Sequence, residues 1–132
     1  METLTVQTNK HAELVDVTDE IQAVVRKAGV ERGLVHLHVP HTTAAVTINE
    51  NADLSVAHDV LADLDRLAPW RQSYYRHGEG NSAAHLKSSL VGCDQTLLLE
   101  GGRLVLGTWQ GIYFCEFDGP RTRKLMVQVL GG

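Results

Sequence analysis

Two turn signals near the C-terminus constrain the fold more than any other feature of the chain. Gly101-Gly102 separates the runs Thr96–Glu100 and Arg103–Leu106, and Asp118-Gly119-Pro120 separates Trp109–Phe117 from Thr122–Leu130. A two-residue Gly-Gly link is a β-hairpin signal, because both positions accept positive φ. Four strand-like runs in succession, with no helix between them, leave no room for βαβ crossovers. A doubly wound parallel sheet therefore fits poorly, and a largely antiparallel α+β domain fits well.

The rest of the chain agrees. Glu2–Thr8 and Ala12–Val17 read as short strands around the polar turn Asn9-Lys10, with Leu4 and Val6 alternating against polar neighbours. Thr18 is placed to cap a helix in which Ile21, Val24, Val25 and Ala28 share one face and Gly29 supplies the stop. In Leu34–Val39, Val35, Leu37 and Val39 face one way and Leu34, His36 and His38 the other. A strand Ala44–Ile48 follows. Asp53 then caps a longer helix with a buried stripe of Val56, Val60, Leu61, Leu64 and Leu67, ended by Pro69. Trp70–Asn81 is a polar loop, and Ser82 caps a short helix through Leu90, closed by Gly92. With 132 residues this is one domain, 1–132, too short for a (β/α)₈ barrel of about 250 residues.

Composition narrows the function classes. Twelve Lys and Arg against sixteen Asp and Glu give a formal charge of −4, which argues against sequence-independent nucleic-acid or anionic-membrane binding. No run approaches the ~20 apolar residues of a membrane span, and METLTVQTNK lacks the pattern of a signal peptide, so a cytoplasmic setting is expected. Cys93 and Cys115 form no C-x-x-C and read as small buried hydrophobes. The seven histidines are the outlier.

G-x-S-x-G, H-E-x-x-H, P-loop and G-x-G-x-x-G patterns are absent. Two polar clusters remain. In the first, His41, Thr42 and Thr43 stand at a strand end, and Asn49, Glu50, Asn51 and Asp53 run into a helix N-terminus, where free N–H groups suit an anion. Asp53 reads equally as a plain helix cap; Glu50 has no such structural reason. The second cluster carries His77, Glu79, Asn81, Ser82, His85 and Lys87. Three imidazoles with an open position make a zinc-type site, so His41, His77 and His85 are either metal ligands or hydrogen-bonded surface histidines. His36 and His38 read as strand-face residues, His11 as a turn residue and His58 as a helix residue. Trp109 reads as core, so that its truncation would cost ~3–5 kcal/mol. The glycines of Gly107-Thr-Trp109-Gln110-Gly111 make sense where a ligand or another backbone approaches closely. Arg121 or Arg123 is suited to holding a phosphate.

HTTAAVTINENAD, YRHGEGNSAAHLKSSLVG and GRLVLGTWQGIYFCEFDGPR, in that order and across nearly the whole chain, resemble the YjbQ-like family of small proteins, described as secondary thiamine-phosphate synthases. The resemblance implies a two-sheet β-sandwich with helices, a homotrimer, and a His-lined, metal-binding site near the subunit boundary. The family's motif histidines match His41, His77 and His85. Glu50, Asn51, Asp53, Glu79, Asn81, Lys87, Trp109, Gln110 and Arg121 match its other motif positions, while the loop Trp70–Tyr74 departs from the pattern.

The implied reaction joins hydroxymethylpyrimidine diphosphate to hydroxyethylthiazole phosphate and releases pyrophosphate. It assigns proton transfer to Glu50 or Glu79, leaving-group neutralisation to Lys87 or Arg121, and substrate contacts to Thr42, Thr43, Asn51, Asp53, Asn81, Ser82, Trp109 and Gln110. Imidazole ligands favour zinc or another transition metal as the divalent cofactor, whereas diphosphate chemistry commonly uses magnesium. Two further readings compete: a metal-dependent hydrolase of a phosphorylated small molecule, and a trimeric module that binds a metal or anionic metabolite without catalysis.

Overall fold

The computed structural model describes residues 1–132. Eight strands and three helices follow one another as β1 (Glu2–Gln7), β2 (Glu13–Asp16), α1 (Thr18–Ala28), β3 (Gly33–His38), β4 (Ala44–Glu50), α2 (Leu54–Leu67), α3 (Ser82–Val91), β5 (Asp94–Glu100), β6 (Arg103–Leu104), β7 (Gln110–Glu116) and β8 (Thr122–Gly131). They form two antiparallel sheets, a five-stranded one in the order β1-β8-β3-β5-β6 and a three-stranded one in the order β2-β7-β4. The α+β sandwich expected from the sequence is present.

Gly101 and Gly102 both have positive φ, 62° and 70°, and join β5 to β6 as a hairpin. The Asp118-Gly119-Pro120 turn does something else: β7 belongs to the small sheet and β8 to the large one, so it carries the chain between layers. The β1–β2 and β3–β4 connections cross in the same way.

The main core lies between the sheets and α1. Val35, Leu37, Leu125 and Val127 from the large sheet meet Val46, Ile112 and Phe114 from the small one, with Ile21 and Val25 of α1 completing it. A second cluster, Ala45, Ala84, Cys115 and Phe117, covers the other face of the small sheet, where α2 and α3 lie. Burying a Leu, Ile, Val or Phe side chain contributes about 1.5–3 kcal/mol, so the intersheet layer carries most of the apolar stabilisation.

Several local expectations are corrected. Thr18 is the first residue of α1 rather than its cap: Asp16 Oδ1 accepts both its N–H and its hydroxyl, and the Thr18 hydroxyl oxygen accepts the Ile112 N–H. Asn81, not Ser82, occupies the N-cap position of α3. Ala28 is exposed, and no residue of α2 is fully buried. The apolar stripe of α2 is only half-covered by the small sheet, and Leu67 is 65% exposed. Cys93 is exposed; Cys115 is buried, and burial pushes its thiol up to about 12. Trp109, expected in the core, is 62% exposed, because its chain segment turns outward before β7 begins.

Candidate active site

Strand length divides the candidate residues into two groups. Along β4, Ala44 pairs with Glu116 and Glu50 with Gln110, so the His41–Thr43 end and the Glu50–Asp53 end lie about 20 Å apart at roughly 3.3 Å per residue.

The Glu50 end is explained by its own hydrogen bonds. Asp53 Oδ1 accepts the Ser55 N–H at 3.0 Å and the Ser55 hydroxyl at 2.7 Å, which caps α2 and holds the carboxyl below its ordinary pKa. Asn51 Nδ2 donates to Asp16 Oδ2 at 2.9 Å, and the Asn51 N–H donates to the Trp109 carbonyl. Gln110 Oε1 accepts the Gly107 N–H at 2.8 Å and closes the turn. A Cβ at Gly111 would stand 2.2 Å from Asn51 Nδ2. That glycine therefore admits a neighbouring side chain of the same protein. Glu50 is half-buried, and its carbonyl accepts the Tyr113 hydroxyl at 3.0 Å.

The opposite end collects the remaining candidates around α3. Thr43 is buried, and its carbonyl and hydroxyl both accept from the Arg123 guanidinium, which also pairs with Glu116. Thr43 thus belongs to a buried polar network that also includes the Thr8 hydroxyl, 2.8 Å from Glu116 Oε1. Thr42 is exposed. His41 Nε2 accepts the Lys124 N–H at 2.9 Å. Burial, together with the nearby Arg123, Arg121 and Lys124 charges, lowers the His41 pKa against the opposing pull of Glu116.

At the N-terminus of α3, the rings of His77 and His85 stand 5.2 Å apart between centroids, with their planes at 85°. Asn81, one turn before His85, is 6% exposed; its Nδ2 donates to Asp118 Oδ2 at 2.9 Å, while its Oδ1 has no hydrogen-bond partner. Asp118 also accepts from Arg121 Nη2 at 3.1 Å and lies 3.6 Å from His11 Nε2. The Ser82 and Ala83 N–H groups, the first two of α3, make no backbone hydrogen bond. Glu79 is exposed in the loop leading to the helix.

The three motif histidines do not converge within one chain: no group of three or more His, Cys, Asp or Glu side chains is placed to hold a metal. His77 and His85 are together and His41 is apart. Lys87 also leaves the pair. Two residues after His85 on a helix, it projects about 200° further round, and its Nζ lies 3.1 Å from Asp65 on α2.

Asp118 and His11 are partners that the sequence does not signal. One reads as a turn former and the other as a turn residue, and nothing local signals that Asp118 meets both His11 and Asn81.

The family model described as UPF0047 protein YjbQ-like matches residues 2–132. The chain belongs to the YjbQ-like UPF0047 family. It is 50% identical over 131 residues to UPF0047 protein YugU of Bacillus subtilis, covering 99% of each chain. It is 52% identical over 126 residues to UPF0047 protein MJ1081 of Methanocaldococcus jannaschii, covering 96% of this chain and 91% of that one. Among solved structures, a YjbQ/UPF0047 family protein from Clostridium acetobutylicum superimposes with a TM-score of 0.96 at 45% identity, covering 98% of this chain and all of that one. A Sulfolobus solfataricus protein described as YbjQ-like and of unknown function gives a TM-score of 0.94 at 34% identity, over 99% and 96% of the two chains.

Proposed function

We propose that this YjbQ-like protein is a metal-assisted enzyme acting on a phosphorylated small molecule at the N-terminus of α3. Thiamine-phosphate formation from hydroxymethylpyrimidine diphosphate and hydroxyethylthiazole phosphate is the reaction it is proposed to support, as a weak activity. The observation that carries the reading is the His77–His85 pair. Two imidazoles bound to one tetrahedral ion through Zn–N bonds of ~2.0–2.1 Å have centroids roughly 5 Å apart, in line with the 5.2 Å separation. The unpartnered buried Oδ1 of Asn81 at the same helix end adds an oxygen donor. The donor set fits a zinc-type ion better than magnesium, which prefers oxygen ligands.

When bound, such an ion supplies Lewis-acid charge neutralisation. The protein's own groups do the rest. The free Ser82 N–H and the Arg121 guanidinium receive phosphate oxygens of the leaving diphosphate. Asp118 holds Arg121 and Asn81 in place through a 3.1 Å and a 2.9 Å contact. Glu79, exposed in the loop between His77 and α3, is the proton-transfer group. Glu50 lies at the far end of β4 and has no part at this end within one chain.

We also propose that copies of the chain associate as a homotrimer. Leu34, Leu98 and Leu130 are in direct cross-strand register on the outer face of the large sheet, and they are 39%, 60% and 52% exposed. That row offers apolar area for a second copy.

The assay measures pyrophosphate release from the two precursors, with and without added Zn²⁺. Release that falls at least a hundredfold in folded His85→Ala supports the reading. Equal release from wild type and His85→Ala contradicts it.

A further inference from the structure

A cavity of about 260 Å³ opens between α2, α3, the loop that joins them and His11-Ala12 of the β1–β2 turn; neither His77 nor His85 lines it. Its walls are apolar and aromatic, with Leu64, Phe117, Trp70 and the ring of His11, which meets Trp70 edge-on with centroids 4.4 Å apart. Into this wall the sequence places one ammonium group. The Lys87 side chain is 7% exposed, and Asp65 Oδ1 at 3.1 Å is the acceptor the protein gives it. An ammonium has three N–H donors, so two are left without a protein acceptor. Asp65 itself is 69% exposed and loses little hydration by turning away.

We infer that this cavity is a second binding site, separate from the His77–His85 site, for a small molecule that carries an anionic group on a planar apolar ring. The ring packs between Trp70, Phe117 and Leu64, and the anion takes the free donors of Lys87. A cation desolvated by apolar walls attracts an anion far more strongly than a surface lysine does, because water screens it less. A purely structural ion pair between α2 and α3 would need neither the open volume nor the aromatic lining. The anion shares the Lys87 ammonium with the Asp65 carboxylate and is repelled by it, which gives the site a built-in test: removing the Asp65 charge strengthens binding instead of weakening it.

The test titrates ¹⁵N-labelled protein with phenyl phosphate, benzoate and inorganic phosphate and follows the two indole N–H resonances. Trp70 lines the cavity, whereas Trp109 is 62% exposed and lies elsewhere, so it serves as the internal reference. The site predicts a saturable shift of Trp70 with phenyl phosphate, benzoate or both, and none of Trp109. Lys87→Met weakens binding about tenfold or more at unchanged melting temperature, and Asp65→Asn tightens it severalfold. His85→Ala binds as wild type, which separates this site from the proposed catalytic one. Where Lys87→Met fails to fold, Asp65→Asn carries the test alone. Absence of a saturable Trp70 shift, inorganic phosphate binding as tightly as the ring compounds, undiminished binding by folded Lys87→Met, or weaker binding by Asp65→Asn overturns the inference.

Discussion

The Nε2 atom of His41 accepts the backbone N–H of Lys124 at 2.9 Å, and this contact fixes what the histidine can do. An imidazole nitrogen that accepts a hydrogen bond is unprotonated, so the neutral ring is the Nδ1–H tautomer. The lone pair a metal would use is already engaged. His41 therefore ties β8 to the β3–β4 connection.

The sign of its pH effect follows. With its folded pKa held below the ordinary 6.5, His41 binds a proton more readily in the unfolded chain. Its contribution to stability is complete above that value and is lost as pH falls through it. Thermal melting of the wild type is expected to drop on acidification through this range, with a smaller drop in His41→Gln. Equal acid sensitivity in the two proteins contradicts the assignment. At lower pH, Glu116 adds to the loss. Burial alone would raise its pKa, but hydrogen bonds from Arg123, Thr8 and the Asp118 N–H bring it below the ordinary value.

Arg123 and Glu116 are 2% and 0% exposed and are paired to each other. Removing one partner of a buried pair leaves an uncompensated charge, at a cost of about 3–5 kcal/mol. Arg123→Met is expected to destabilise the protein by that amount in urea unfolding, and Arg123→Met/Glu116→Leu to recover much of it. A double variant no more stable than Arg123→Met would show that Thr8 and Thr43 contribute as much as the pair.

The sequence reads Gly111 as a place where a ligand or another backbone approaches; the structure instead sets the side chain of Asn51 against it. Gly111→Ala forces that side chain off the Asp16 carboxylate and is expected to cost about 1–3 kcal/mol by overpacking. Gly111→Ala/Asn51→Ala, which removes the obstructing amide, is expected to recover part of this. No recovery would place the strain elsewhere.

Trp109 is the clearest case of sequence pattern misleading. A tryptophan beside a strand rich in apolar residues reads as core, yet it precedes β7 and points to solvent. Trp109→Ala is expected to change the stability of the protein by about 0.5 kcal/mol or less, the range of ordinary surface positions. A loss of several kcal/mol in unfolding would show that the side chain is covered.

The elements were legible because alternation, the αL glycine after α1 and the Gly-Gly hairpin are local signals. The Asp53 cap was legible for the same reason, since its acceptor is two residues from its donor. The site was legible only as residue types. Asn81 meets Asp118 across 37 positions and Arg123 meets Thr43 across 80, so neither pairing leaves a mark on nearby sequence. Lys87 carried a motif resemblance that put it with His85, but helical periodicity turns it toward Asp65 instead.

In the function proposed above, His77 and His85 hold a metal ion together. Elemental analysis of the purified protein after dialysis against buffered Zn²⁺ reads that binding. Wild type and His41→Gln are expected to retain zinc, and His77→Ala and His85→Ala to lose it. A folded His85→Ala protein that retains wild-type zinc would contradict it.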